Sequence, residues 1–243
     1  MISKNQLKLI RQLGQKKYRK QYNQYLVQGE KNVLELLNSP LNAVNIFATN
    51  EFINAYQGEY QHANFIEADE EVLTKASTLV SNNAAIAIVD MPNAELPKAS
   101  GLILALDGVS DPGNLGTIIR VADWYGIKHI VTSTDSADAY NPKTISATMG
   151  SFVRVSVSQV DLPDYLRSLK LPVYGAFLDG QSVHKTQFTG SGVLLMGSES
   201  HGIREQCAKL VSDKITIPAF GGAESLNVAM ATGIILDNFK RQA

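Results

Sequence analysis

Short apolar runs alternate with amphipathic stretches of helical period through residues 1–90. The predicted strands are 25–27, 44–48, 65–66 and 84–89, and the predicted helices cover about 30–37, 51–57 and 70–78. In the first of these helices Val33, Leu34 and Leu37 share one side. Strands and helices that alternate over so few residues predict a small α/β sandwich.

Beyond residue 100 the alternation repeats with longer and more apolar strands. The predicted strands are 102–106, 129–132, 153–157, 173–177, 193–196 and 214–217. Strands that are apolar on both faces predict a mostly parallel sheet covered by helices on each side. The last segment, 226–239, is apolar almost all round, so we expect a helix buried in its own domain or against a second subunit.

Residues 90–100 interrupt this pattern with two prolines and several polar side chains, which is typical of a linker. We therefore expect two domains, residues 1–97 and residues 98–243. The chain has 243 residues, of which 44% are hydrophobic and 19% charged, and this composition is that of a globular protein.

The composition also argues against several classes of protein. The single cysteine, Cys207, cannot form an internal disulfide or build a zinc or iron–sulfur site, which fits a reducing compartment. The first residues hold no apolar core of signal-peptide length, and no run approaches the roughly 18 apolar residues of a membrane span. We expect a cytoplasmic protein that needs neither a membrane nor a metal.

The formal net charge of −1 hides an uneven distribution along the chain. Residues 1–20 contain no acidic side chain and seven basic ones, which are Lys4, Lys8, Arg11, Lys16, Lys17, Arg19 and Lys20. The other 223 residues therefore carry a balance of −8. A basic arm is typical of contact with a polyanion, usually phosphate, but a solvated helix face has the same charge pattern.

Ligands of parallel sheets bind beyond the carboxyl ends of the strands, and three strand ends here have unusual sequences. The first leads from residue 106 through a turn rich in Gly, Pro, Asp and Asn into a helix that stops near Gly126. We expect Asn114 to cap this helix and Arg120 to point back toward the turn. The turn matches neither GxxxxGK[ST] nor GxGxxG, the phosphate-binding patterns of nucleotide-dependent enzymes. Their absence from this turn argues against a doubly wound nucleotide-dependent enzyme. A tight turn followed by a surface arginine is the alternative.

The other two strand ends also lead into turns of small residues. In residues 194–202, Glu199 is placed either to accept hydrogen bonds from surrounding donors or to favour the N-terminus of the next helix. Residues 217–227 form a glycine-rich loop followed by Glu224, Ser225 and Asn227. Taken singly, Ser and Asn at a helix start are ordinary caps.

Taken together and in this order, the three segments resemble the signature motifs of the SpoU (TrmH-like) branch of the SPOUT RNA methyltransferases. The matching stretches are 114–120, Gly197-Ser198-Glu199 with Gly202, and Ile217-Pro218 with 224–228. Asn141-Pro142-Lys143, with Ala147 and Met149-Gly150, is similar to the segment between the first two motifs. Residues 26–33 resemble the start of the family's substrate-binding domain, which is like ribosomal protein L30e.

This resemblance implies a fold, a cofactor and an assembly. The fold would be an L30e-like α/β domain in residues 1–97 and, in residues 98–243, a parallel α/β sheet with a deep trefoil knot. The family binds S-adenosylmethionine in the knot and works as a homodimer with the knot at the interface. It methylates ribose 2′-hydroxyls of structured RNA, mostly ribosomal RNA. Transfer RNA is an alternative substrate, and a non-catalytic RNA-binding or ribosome-assembly protein is an alternative function.

The resemblance also implies roles for individual residues. Arg120 matches the arginine proposed as the family's catalytic base. A guanidinium is a poor base near neutral pH, so gripping an RNA phosphate or stabilising the developing alkoxide is the alternative role. The other catalytic positions are Asn114, Glu199, Ser225 and Asn227. The residues expected around the cofactor are Leu195, Gly197, Ile217, Ser225 and Leu226.

Overall fold

The computed structural model describes residues 2–92, 96 and 101–242. The chain divides into two compact units, one of residues 1–93 and 138–153, the other of residues 94–137 and 154–243. The boundary expected between residues 97 and 98 lies outside the described residues, as does most of the expected linker. The sequence does not predict that residues 138–153 belong with the N-terminal unit.

The two units contain alternating helices and strands along the chain. The helices are α1 (Lys4–Leu13), α2 (Lys16–Tyr22), α3 (Glu30–Leu37), α4 (Asn50–Tyr56), α5 (Glu70–Ala76), α6 (Pro112–Trp124), α7 (Pro142–Thr148), α8 (Leu162–Ser168), α9 (Glu205–Ala208) and α10 (Val228–Lys240). The strands are β1 (Gln24–Gln28), β2 (Ala43–Ala48), β3 (Phe65–Glu67), β4 (Ala85–Asp90), β5 (Leu102–Asp107), β6 (His129–Ser133), β7 (Ser156–Val160), β8 (Val173–Ser182), β9 (Gly192–Gly197) and β10 (Asp213–Thr216).

The first unit is an α/β sandwich, as the sequence predicts. Its four strands lie in the order β1-β4-β2-β3, and β4 pairs antiparallel with both β1 and β2. Side chains alternate across this sheet, so Phe47 and Ile86 pack with Ile10 and Leu13 of α1 on one face. Val33 of α3 belongs to the core on the other face.

Residues 138–153 join the first unit through specific contacts. The Tyr140 ring lies 4.7 Å from the Tyr25 ring of β1, measured between centroids. The Asp138 carboxylate accepts a hydrogen bond of 2.6 Å from the guanidinium of Arg19, which is buried. These contacts explain why the strand expected at 153–157 begins only at Ser156. Val153 is part of a short 3-10 turn, Ser151–Val153, in the segment that packs with the first unit.

The second unit is built on a six-stranded sheet in the order β10-β8-β9-β5-β6-β7, and every neighbouring pair is parallel. On one face, Ile103 and Leu195 pack with residues of α8 and α9 such as Leu166 and Cys207. Elsewhere in the unit, α10 packs against α6 and β9. The predicted parallel α/β architecture is confirmed.

The apolar C-terminal segment forms α10, which starts two residues later than predicted. Most of its apolar side chains are buried within the unit, including Ile235 and Leu236. Met230, by contrast, is 63% exposed, and Leu226 just before the helix is 48% exposed.

Across the described residues, the helices are all too short or too polar to cross a bilayer.

Candidate active site

The turn after β5 places Asn114 inside helix α6 and not at its cap. Asp111 is the N-cap residue, and its carboxylate accepts a hydrogen bond of 2.8 Å from the backbone N–H of Asn114. The expectation that Asn114 caps the helix is therefore wrong. Pro112 fills the first helical position, where no N–H is needed, and the Asn114 side chain is left to bond outside its own helix.

Three polar side chains from the three motifs meet in a closed triangle of hydrogen bonds. Asn114 donates from Nδ2 to Glu199 Oε1 at 3.2 Å. Asn227 donates from Nδ2 to the same carboxylate oxygen at 2.7 Å and to Asn114 Oδ1 at 2.9 Å. Glu199 lies 85 positions from Asn114 and 28 positions from Asn227 in the sequence, and the fold brings the three together at the carboxyl ends of β5 and β9.

Asn227 is fixed in this triangle because it also caps helix α10. Its Oδ1 accepts hydrogen bonds from the backbone N–H groups of Ala229 at 3.0 Å and Met230 at 3.3 Å. With Oδ1 occupied by the helix, the amide NH₂ must face Glu199 and Asn114. The Glu199 carboxylate lies at the N-terminus of α10, where the helix dipole favours negative charge. The reading of Glu199 as an acceptor of hydrogen bonds from surrounding donors is therefore confirmed, whereas the helix whose N-terminus it meets is α10 and not the next helix along the chain, α9.

Glycine shapes the loop that carries Glu199. A side chain on Gly197 would overlap the backbone of Gly202 and Ile203, so only glycine fits at the end of β9. Ser198 and Gly202 exchange two backbone hydrogen bonds of 3.1 and 2.9 Å, which close a tight loop around Glu199. Gly202 has a φ of +63°, a backbone conformation that side chains disfavour.

A second polar cluster holds the far end of the same loop. The carboxylate of Asp107, fully buried at the end of β5, accepts hydrogen bonds from the Arg204 backbone N–H at 2.8 Å and from its Nε at 2.7 Å. A further Arg204 nitrogen donates to the same carboxylate. Arg204 Nη1 also donates to Asp135 in the turn after β6 at 3.0 Å. The loop is therefore anchored on both sides of Glu199.

A cavity of about 690 Å³ opens beside the triangle. Its walls are residues 176–179, 196–203, 215–221, 223–226, 228, 231 and 235. Four of the five residues expected around a cofactor line it, namely Gly197, Ile217, Ser225 and Leu226. The side chain of Leu195 does not, because it is fully buried in the core on the α8 and α9 side of the sheet.

Arg120 lies outside the triangle. It is exposed on α6, and its side chain forms no hydrogen bond or ion pair with any other residue that the structure describes. Helical spacing places it on the exposed stripe of Thr117 and Trp124. The expectation that its side chain points back to the turn stays a prediction.

Two family models match this sequence over most of its length. The SpoU rRNA methylase family matches residues 101–237, which include the triangle and the cavity, and the MRM3-like substrate binding domain matches residues 4–87. The chain belongs to the SpoU rRNA methylase family.

Relatives within and around this family are similar to the chain over nearly its whole length. The 23S rRNA (guanosine(2553)-2′-O)-methyltransferase RlmP of Bacillus subtilis is 33% identical over 96% of this chain and 96% of its own. The structure of a TrmH-family protein from Porphyromonas gingivalis is 39% identical with a TM-score of 0.90, and the match covers 100% of both chains. An AdoMet-bound rRNA methyltransferase from Sinorhizobium meliloti is 28% identical, covers 99% and 97% of the two chains, and has a TM-score of 0.86.

Asp107, Asp135 and Arg204 hold the loop of Glu199 in this SpoU family member, and the sequence motifs do not reveal them. One signal was present, since Asp107 is a carboxylate that ends an otherwise apolar strand. Its hydrogen bonds raise the pKa of Arg204 further above its ordinary value. The pKa of Asp135 is lowered, first by a hydrogen bond from the Ser133 side chain and also by Arg204.

Cys207, which follows this cluster on α9, is not a nucleophile in this structure. Its side chain is buried against the sheet. Burial and, to a lesser extent, the Asp107 carboxylate raise the pKa of Cys207 to about 12. The thiol therefore stays protonated near neutral pH and acts as a small core residue.

Proposed function

We propose that this chain transfers a methyl group from S-adenosylmethionine to a ribose 2′-hydroxyl of ribosomal RNA. The observation that carries the proposal is the triangle of Asn114, Glu199 and Asn227 at the edge of a cavity of about 690 Å³. Membership of the SpoU family and the 2′-O-methyltransferase activity named for its relative RlmP support it.

The cavity fits S-adenosylmethionine in size and in chemistry. Pockets for small molecules and cofactors have volumes of about 300–1,000 Å³ and mostly apolar walls with a few polar groups. Met196, Ile217 and Leu226 provide apolar surface for a neutral adenine. Glu199 and Glu224 line the same cavity. Their carboxylates can accept hydrogen bonds from the cofactor and attract its positively charged groups. When bound, S-adenosylmethionine supplies a methyl group on a cationic sulfonium.

The residues of this chain have the tasks of orienting the ribose and handling its proton. The ribose hydroxyl must lose its proton as its oxygen gains the methyl group, and the oxygen must be held in line for the transfer. The triangle offers the second Glu199 oxygen and the polar Asn114 side chain to a substrate. Ser225, exposed on the cavity wall, offers a hydroxyl group on the substrate side.

We propose that Arg120 acts through its positive charge on the negative groups of the reaction. Because it has no ion-pair partner among the described residues, its neighbours in the reaction must come from the RNA or from a second copy of the chain. A guanidinium held by an RNA phosphate can stabilise the developing alkoxide, and that phosphate can assist the removal of the proton. Both routes require the arginine.

Several finer expectations from the family belong to the same proposal. We propose a trefoil knot and a homodimer for the catalytic domain, residues 98–243, and an L30e-like domain that binds structured RNA in residues 1–97. Trp124 on α6 and Met230 on α10 are 85% and 63% exposed, and these two helices pack together, which supports a subunit interface there. With ribosomal RNA as the substrate, we propose that the protein acts in the cytoplasm.

The decisive experiment measures transfer of labelled methyl groups from S-adenosylmethionine to purified RNA. Ribosomal RNA and transfer RNA from cells lacking the protein are offered separately, and the product nucleosides are separated by chromatography. We expect a 2′-O-methylated nucleoside in the ribosomal RNA alone. Label in the transfer RNA would instead make transfer RNA the substrate. If titration calorimetry detects no heat of binding for S-adenosylmethionine, the non-catalytic RNA-binding alternative is favoured.

A further inference from the structure

Helix α1 carries a row of basic side chains on its exposed face. Lys4, Lys8 and Arg11 follow at spacings of four and three residues, which places them on one side of the helix. The other side is anchored in the core of the first unit through Ile10 and Leu13. The row is therefore held on a packed helix.

A groove of about 410 Å³ lies beside this row. Its lining residues are Lys4, Leu7, Lys8, Arg11, Gln12, Gln15 and Tyr18. None of them is acidic, and their ammonium, guanidinium, amide and phenol groups can all donate hydrogen bonds. Phosphate oxygens accept hydrogen bonds from such groups, and those from the charged donors are the strongest.

The exposed cations of the arm have no counterion in the part of the chain that the structure describes. Six exposed side chains form no ion pair there, namely Lys4, Lys8, Arg11, Lys16, Lys17 and Lys20. The seventh basic residue, Arg19, differs from them, because it is buried and bonded to Asp138 at 2.6 Å and to the Leu13 carbonyl at 2.9 Å. Arg19 serves the fold, and the other six leave their charge for an outside partner.

Three of these cations, Lys4, Lys16 and Lys17, are placed against the stability of the helices that carry them, whereas Arg11 and Lys20 lie in last turns, where a cation is favourable. Neither α1 nor α2 has an acidic residue in its first turn, where Lys4, Lys16 and Lys17 stand instead. A cation at a helix N-terminus is unfavourable, and like charges four residues apart repel each other. A polyanion bound along the arm would offset both effects.

We infer that the groove of α1 and α2 binds the phosphate backbone of the RNA, with Lys4, Lys8 and Arg11 each contacting a phosphate. The inference takes the identity of the polyanion from the proposed function. The remainder of the chain has a balance of −8, so the field of the protein steers RNA toward this arm and away from other surfaces.

The test measures the salt dependence of RNA binding by fluorescence anisotropy with a labelled RNA hairpin of arbitrary sequence. The variant combines Lys4→Gln, Lys8→Gln and Arg11→Gln. Three lost phosphate contacts should reduce the slope of log affinity against log salt by about 2–3 and weaken binding roughly 10- to 100-fold near 0.1 M salt. Such a change, with the control variants unaffected, would establish the groove as a phosphate site.

Two control variants keep this result interpretable. One removes three exposed lysines elsewhere that form no ion pair among the described residues, by Lys128→Gln, Lys170→Gln and Lys185→Gln. The other preserves the charge of the groove by Lys4→Arg, Lys8→Arg and Arg11→Lys. Both should retain the wild-type slope, and circular dichroism should show the same fold in all variants.

A wild-type slope in the groove variant, an equal loss in the Lys128, Lys170 and Lys185 control, or a wild-type protein that does not bind the hairpin would each overturn the inference. A loss of slope in the charge-preserving variant would also count against it, since the effect would not follow charge. Methyl transfer to ribosomal RNA is assayed separately with the wild type. If no methyl transfer is detected, the proposed function is contradicted, while the salt slopes still show whether the groove binds phosphate.

Discussion

The side-chain amide of Asn227 caps helix α10 with its oxygen and donates from its nitrogen to Glu199 over 2.7 Å. One residue thereby joins the start of a helix to the carboxylate of another motif. The two tasks use different atoms of the amide, so substitutions can separate the role of Asn227 in the fold from its role in the site.

Replacing Asn227 by Ser should preserve the fold and impair the reaction. Serine caps helices about as well as asparagine, but it has no amide to hold Glu199 and Asn114 in place. We expect a free energy of unfolding close to that of the wild type and a turnover reduced roughly 10- to 100-fold, the range for a lost hydrogen bond to a charged group.

Asn227→Ala provides the matched control, since it removes both functions of the side chain. We expect it to lose a similar amount of turnover and, in addition, about 1 kcal/mol of stability because the cap is gone. Urea denaturation and initial rates of methyl transfer measure the two effects. Wild-type turnover in Asn227→Ser would show that the triangle does not serve the reaction.

Arg120→Lys should lose most of the methyl transfer activity and keep the affinity for S-adenosylmethionine. Lysine retains the positive charge but lacks the planar fork that binds a phosphate through two parallel hydrogen bonds. Arg120 does not line the cavity, so calorimetric binding of the cofactor should not change. Arg167→Lys, at an exposed ion pair with Asp164 on α8, is the control. Near-normal turnover of Arg120→Lys would refute both proposed roles of the arginine.

Much of the fold follows from local periodicity, which the sequence displays directly. Helix α3 occupies the predicted residues 30–37, and strand β5 begins at the predicted residue 102. The error at β7 has a different origin. Val153 has the apolar character of a strand residue, but it lies in a segment whose contacts with Tyr25 and Arg19 are made across more than a hundred residues of sequence. No local pattern encodes such contacts.

The site was predictable as far as its motifs extend. Glu199 and Asn227 are brought together as the resemblance implies. The sequence places the cap of α6 at Asn114 and not at Asp111, although both are good cap residues. Only the geometry shows which of them precedes the first turn. The bond between Asp107 and Arg204 spans 97 positions and belongs to no motif, so the sequence alone could not reveal it.

Asp107→Ala should destabilise the second unit strongly. The substitution leaves the Arg204 backbone N–H and guanidinium without their buried acceptor. Because Arg204 is 46% exposed, water recovers part of this loss, and we expect a cost of about 2–3 kcal/mol. The measurement is urea denaturation followed by circular dichroism.

Asp164→Ala is the matched control for Asp107→Ala, since Asp164 forms an exposed ion pair with Arg167. Exposed pairs contribute at most about 1 kcal/mol, so this variant should stay near the wild type. Equal effects of the two substitutions would mean that the buried carboxylate does not anchor the loop of Glu199.

Asp135→Asn should change how stability depends on pH. The pKa of Asp135 is lowered in the folded protein below its ordinary value of 3.8, so the folded state favours the charged carboxylate. Its stabilising contribution is fully present above that value and is lost as the pH falls through the lowered pKa. The melting temperature of the wild type should therefore exceed that of Asp135→Asn near neutral pH, and the difference should close in acid. A difference that stays constant down to strongly acidic pH would show that the charge of Asp135 does not stabilise the anchor around Arg204.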